Sequence, residues 1–173
     1  MKVKTTRYNK EYQLIDNSKV LATIIKPKWY LSEIEFYTKN KIILIKKRNL
    51  WGTYYNIIEM GNSIGKIEWT FKNGYMLTLK NSENKTIEYK LKKVSLGNWN
   101  VSQKQYILQE NENKVKVILS INIKYKFTLS LKSYENIEII FTDDSQINYL
   151  MSVCALFLMR KQMSLESTSI YHQ

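Results

Sequence analysis

Apolar and polar residues alternate along most of this chain, from about Val3 to Phe141. In "IEWTF" the apolar Ile67, Trp69 and Phe71 alternate with Glu68 and Thr70, the period of two that a half-buried strand requires. The alternation returns at Tyr75, Leu77 and Leu79, at Ile87, Tyr89 and Leu91, and at Val115, Val117 and Leu119. It continues at Tyr125, Phe127 and Leu129 and at Ile137, Ile139 and Phe141. Turn-forming stretches separate the runs: Lys72-Asn73-Gly74, Asn81 to Asn84, Asn111-Glu112-Asn113, and a tight joint expected at Asn122-Ile123. Short runs with tight joints predict sequential hairpins and an antiparallel sheet, apolar on one face and wet on the other. About a dozen strands fit, and a sheet of that size must close or split into layers to avoid exposed edges.

The period changes after Asp143, Asp144 and Ser145, which are N-cap types whose carboxylates also suit the positive end of a helix dipole. The following "QINYLMSVCALFLM" is rich in Leu, Met and Ala and predicts a helix near 144–161. On that helix Ile147, Leu150, Met151, Cys154 and Leu158 share one face, while Tyr149, Val153, Leu156 and Phe157 cover most of another. A helix apolar nearly all round is buried in protein or spans a bilayer. From Ile147 to Met159 it would measure about 20 Å, against a hydrocarbon core of about 30 Å. Asp143 and Asp144 on one side and Arg160 and Lys161 on the other flank it closely. The expectation is therefore no transmembrane segment. The fold class expected is all-β with one helix: a closed antiparallel β-barrel of about a dozen strands wrapped around a central apolar C-terminal helix. Residues 1–163 form a single domain on this reading, and the polar 164–173 a flexible tail.

Composition adds a strong positive charge. Lys and Arg number 27 against 15 Asp and Glu, a net charge of +12, which suits anionic partners but also fits lysine filling solvated positions. The single Cys154 lies in the apolar run, where it reads as a small buried hydrophobe, and no disulfide can form within the chain. The N-terminal stretch lacks the apolar core of a signal peptide, so a cytoplasmic location is expected.

The terminal "FTDDSQINYLMSVCALFLM" and the midway "GNSIGKIEW" carry a resemblance. A closed barrel around an apolar C-terminal helix resembles the tubby C-terminal-like superfamily, which includes the tubby domain, the LURP-one-related proteins and the phospholipid scramblases. Gly61, Ile64, Gly65 and Ile67 are similar to the loose G-x-x-I/V-G-x-I hairpin of the LURP-one and scramblase branches. The resemblance covers roughly Val3 to Met163. It implies the barrel architecture and, since tubby domains bind phosphoinositides through surface basic residues, a role at anionic headgroups. Scramblases are associated with calcium and with palmitoylated cysteine clusters; this chain departs from them, with only Cys154 and with Asp16, Asp143 and Asp144 as its aspartates.

Candidate chemistry is sparse. The only histidine is His172, and without further His or Cys there is no zinc set and no nucleophilic triad. Glu33 and Glu35 share one face of a strand, with Ile34 and Phe36 on the other, which suits a solvated face. No phosphate-cradling Gly-rich loop or calcium loop is present. The expectation is a non-enzymatic protein with no metal and no cofactor. Two basic clusters are the candidate binding residues: Lys41, Lys46, Lys47 and Arg48 beside Trp51, and Lys90, Lys92 and Lys93. Lys46 and Arg48 would project from one outward strand face, as would Lys90 and Lys92. Anionic membrane lipids, bound peripherally, are the leading partner; another protein is the alternative, and nucleic acid ranks lower because the aromatics are committed to the apolar strand face.

Overall fold

The alternating stretches that fall within the described residues form strands in the computed structural model of the chain, and the terminal apolar run forms a helix. The structure describes residues 2–5, 11–25, 33–38, 41–80, 84–94, 103–111, 114–126, 132–142 and 149–169. The first six strands are β1 (Lys2–Thr5), β2 (Glu11–Asp16), β3 (Lys19–Ile25), β4 (Ile34–Tyr37), β5 (Ile42–Lys47) and β6 (Tyr54–Glu59). Then follow β7 (Asn62–Thr70), β8 (Gly74–Lys80), β9 (Thr86–Val94), β10 (Gln103–Asn111), β11 (Lys114–Lys126), β12 (Lys132–Phe141) and the helix α1 (Tyr149–Ser169). Each strand pairs antiparallel with the next, and β1 pairs antiparallel with β12, Val3 opposite Ile137, so the sheet closes as a 12-strand barrel. Closure leaves no edge strand to template aggregation.

The inward residues of neighbouring strands stand side by side, as the alternation requires. Tyr55 is opposite Ile67, Ile67 opposite Leu77, and Leu77 opposite Tyr89, and all four are buried. Helix α1 fills the space they enclose. Residues Met151 to Met159 are buried without a break, including Ser152 and Ala155, so protein covers every face of this part of the helix. The helix touches β3, β8, β9 and β11, and Phe157 meets the Tyr55 ring edge-on at 5.0 Å. Burying a large apolar side chain contributes about 1.5–3 kcal/mol against a net stability of about 5–15, so the fold depends on α1. Among the described residues no helix is long and apolar enough to cross a membrane.

The structure departs from the sequence pattern at three places. No joint interrupts β11 at Asn122-Ile123, because both residues pair in register with Asn136 and Glu135 of β12; an Asn inside a long ladder is tolerated where its neighbours fix the register. Phe71 is not a strand residue. Strand β7 ends at Thr70, and Phe71 opens the turn to β8 with 97% of its surface exposed. The helix also runs to Ser169, past its expected end near 161 and into the segment expected as a tail, since Gln162, Met163, Leu165 and Glu166 all favour helix. The expected caps Asp143, Asp144 and Ser145, and the strand residues Phe127 and Leu129, lie outside the described residues.

The Gly61 to Ile67 stretch has a clear structural role. Met60 and Gly61 both adopt positive φ, 49° and 83°, as a tight two-residue hairpin between β6 and β7 requires. Gly65 lets β7 approach β8: a Cβ there would lie 2.5 Å from the Thr78 carbonyl oxygen.

Candidate functional site

Strand direction decides which residues share an end of the barrel. Successive strands alternate, so the C-terminal ends of odd-numbered strands and the N-terminal ends of even-numbered strands form one rim, the upper one. Arg160 lies over the Tyr12 ring at 5.5 Å and Lys161 over the Tyr55 ring at 5.1 Å, both at the starts of even strands, so α1 brings these two cations toward the upper mouth.

The upper rim from β5 to β9 unites most of the candidate cations. Lys46 and Lys47 end β5, and Arg48 follows at the rim; Lys46 and Arg48 are exposed, Lys47 half-buried opposite Tyr55. Among the described residues no carboxylate is ion-paired with any of the three. Lys92 and Lys93 end β9 on the same rim and are exposed. Register separates them, because Lys92 points outward whereas Lys93 continues the inner face opposite Tyr106 at the mouth. The two clusters stand four strands apart, about 19 Å along the wall at the usual strand spacing.

Two candidates fall outside this arc. Lys41 precedes β5 at the lower rim, where its ammonium meets Glu59 at 2.9 Å, so proximity in sequence to Lys46 does not place it in the same patch. Lys90 lies on the outer wall below the rim, half-buried opposite Met76. The arc is bounded on the β4 side by Glu33 and Glu35, with Glu35 accepting a hydrogen bond from the Tyr37 hydroxyl at 2.6 Å; that bond is the main reason the Tyr37 phenol is pushed up from its ordinary pKa.

Between the two cationic clusters are residues that alternation alone did not single out. The β5–β6 loop is held by Asn49, whose side-chain oxygen accepts from the backbone N–H of Thr53 at 3.0 Å and of Tyr54 at 3.2 Å. Its side-chain nitrogen donates to the Thr53 hydroxyl at 2.6 Å. Backbone bonds from Arg48 to Tyr54 and from Trp69 to Thr53 tie the loop to β6 and β7. At its tip Leu50 and Trp51 are 92% and 89% exposed. The neighbouring β7–β8 turn carries Phe71, whose ring meets Trp69 edge-on at 5.7 Å, followed by the exposed Lys72. The signal in the sequence was "RNLWG": two adjacent large apolar residues in a turn cannot both face a core through period two.

A concavity of about 170 Å³ lies on the outer wall, lined by Asn56, Ser63, Gly65, Lys66, Thr78 and Thr86 among others. It is smaller than the about 300–1,000 Å³ of most small-molecule sites. Its Lys66 is held by Glu68 at 2.7 Å, and this hydrogen bond pushes the lysine's pKa up. Cys154 is buried within the barrel, and desolvation pushes its thiol pKa well up, so it is the opposite of an activated nucleophile. No group of His, Cys, Asp and Glu among the described residues could hold a metal ion. No family model, curated protein or solved structure matches the chain.

Proposed function

We propose that this chain is a non-enzymatic, tubby-like barrel protein that docks peripherally on membranes by binding anionic phospholipid headgroups at its upper rim. One observation carries the reading: Lys46 and Lys47 at the end of β5 with Arg48 just after it, and Lys92 and Lys93 near the end of β9, far apart in sequence, stand on the same rim. A flat anionic surface meets such an arc along its length, and each Lys or Arg near it contributes about 1 kcal/mol. The closed barrel around an apolar helix supports the likeness to the tubby-like superfamily. The proposed setting is a cytoplasmic protein recruited to the membrane surface.

Co-sedimentation with phosphatidylcholine vesicles, with and without phosphatidylserine or a phosphoinositide, tests this reading. Binding that requires the anionic lipid and weakens from low to physiological salt is expected. Equal binding to neutral vesicles, or none to any, overturns it; in the second case a stoichiometric protein partner recovered by pull-down would identify the barrel as an interaction scaffold.

A further inference from the structure

We propose that Leu50, Trp51 and Phe71 form an apolar wedge that enters the interfacial layer of the membrane while the cations beside them hold the headgroups. The inference rests on the headgroup reading and adds a mode of attachment to it. Its basis is a coincidence of position. The three most exposed large apolar side chains among the described residues are Phe71 at 97%, Leu50 at 92% and Trp51 at 89%, and all three stand on two neighbouring turns of one rim. The opposite rim has Met60 at 82% and Ile42 at 56%, with Val20 and Ile140 at 45% and 46%, each less exposed than the three tips. An exposed apolar cluster on an otherwise polar surface marks an interaction site.

The shape of the loop argues for insertion in place of collapse. A slack loop would fold its Leu and Trp back onto the wall; here the Asn49 side chain and the backbone bonds to Tyr54 and from Trp69 fix the loop with its tip in water. A tip already fixed in its bound form loses little conformational entropy on docking. Each apolar tip has a cation at its base, Arg48 for Leu50-Trp51 and Lys72 for Phe71. That order suits a bilayer surface: long cationic side chains reach the phosphates while Trp occupies the headgroup boundary and Leu and Phe the acyl boundary. A nucleic acid would use Trp51 and Phe71 as stacking platforms but has no use for Leu50, so the lipid surface is the occupant that accounts for all three.

The native fold supplies a clean test. Cys154 is fully buried, so Leu50→Cys adds the one accessible thiol, which can carry an environment-sensitive fluorophore in the full chain. Met60→Cys, labelled in the same way, reports on the opposite rim. With phosphatidylcholine–phosphatidylserine vesicles the Leu50→Cys probe is expected to shift to the blue, gain intensity several-fold and be quenched by lipid-borne quenchers, while the Met60→Cys probe stays unchanged. Serine at all three tips should weaken vesicle binding by about tenfold or more without altering its salt dependence. Protein that sediments with vesicles while the Leu50→Cys probe remains in water overturns the wedge and leaves the headgroup reading standing. Absence of sedimentation overturns both. Lipid-free self-association abolished by the serine variant would assign the wedge to a second copy of the chain and overturn the proposal as well.

Discussion

The two ends of the barrel are made from the same strands yet carry different surfaces. At the lower rim, Lys41 meets Glu59 at 2.9 Å, and Lys114 and Lys116 both approach Glu110, at 3.5 and 3.7 Å. At the upper rim, Lys46, Lys47 and Arg48 have no carboxylate paired with them among the described residues, and Leu50, Trp51 and Phe71 project beside them. Among the described residues, local pairing therefore engages Lys41, Lys114 and Lys116 at one end, though not the exposed Lys19 and Lys80, while the other presents cations and apolar tips together. Net charge alone cannot express this difference. An overall +12 spread evenly would attract anions weakly everywhere, whereas the cluster of Lys46, Lys47 and Arg48, with which no carboxylate pairs among the described residues, concentrates the attraction on one surface.

Breaking the core beneath both ends should have the largest effect on stability. Phe157→Ala removes the ring packed on Tyr55 and is expected to cost about 3–5 kcal/mol, seen as a lower denaturant midpoint. A single transition would show that both rims rest on one core. Asn49→Ala acts on the upper rim alone. It deletes the three side-chain bonds that hold the β5–β6 loop and should cost about 1–3 kcal/mol and loosen the tip, measured by melting and by hydrogen exchange at Thr53 and Tyr54.

Alkaline pH probes the interior. Burial pushes the Tyr75 phenol up to about 12 from 10.0, and burial likewise raises Cys154 from 9.0 and, as the main cause, Tyr89 from 10.0. Folding thus favours the protonated forms. Their contribution is intact below about pH 9 and is lost as pH rises toward 12, because the unfolded chain releases these protons first. Melting temperature should hold to about pH 9 and then fall; a flat profile to pH 12 would mean that water reaches Tyr75 in the folded state. Lys41→Ala at the lower rim should have the smallest effect. Its ion pair with Glu59 is more than half exposed on the lysine side, so stability should change by less than about 1 kcal/mol and vesicle binding not at all.

Much of the fold was legible because period two and an all-round apolar helix leave few arrangements that bury both. The alternation at Ile67, Leu77 and Tyr89 named inward residues that are indeed side by side, and the run from Met151 to Met159 identified the core helix. Alternation failed at Phe71, where the pattern continued one residue beyond the last ladder pair, Thr70 with Gly74. It also could not show that β11 passes straight through Asn122, since that depends on pairing with β12. The candidate site was legible as residue types but not as a surface. Lys47 and Lys93 share a rim only because three intervening strands bring β9 parallel to β5, and Lys41 leaves the patch because the length of β5 carries it to the other end. These are consequences of topology, which no local window contains.

The most direct test sets the two rims against each other at equal charge. The upper variant replaces Lys46, Lys47 and Arg48 by Glu, and the lower variant replaces the lower-rim Lys19, Lys41 and Lys80 by Glu. Each is titrated with phosphatidylserine-containing vesicles at physiological salt. The upper variant should lose affinity on the order of 100-fold and the lower variant less than about threefold. Equal losses in the two variants would mean that only net charge matters, and would contradict a docking surface on the upper rim.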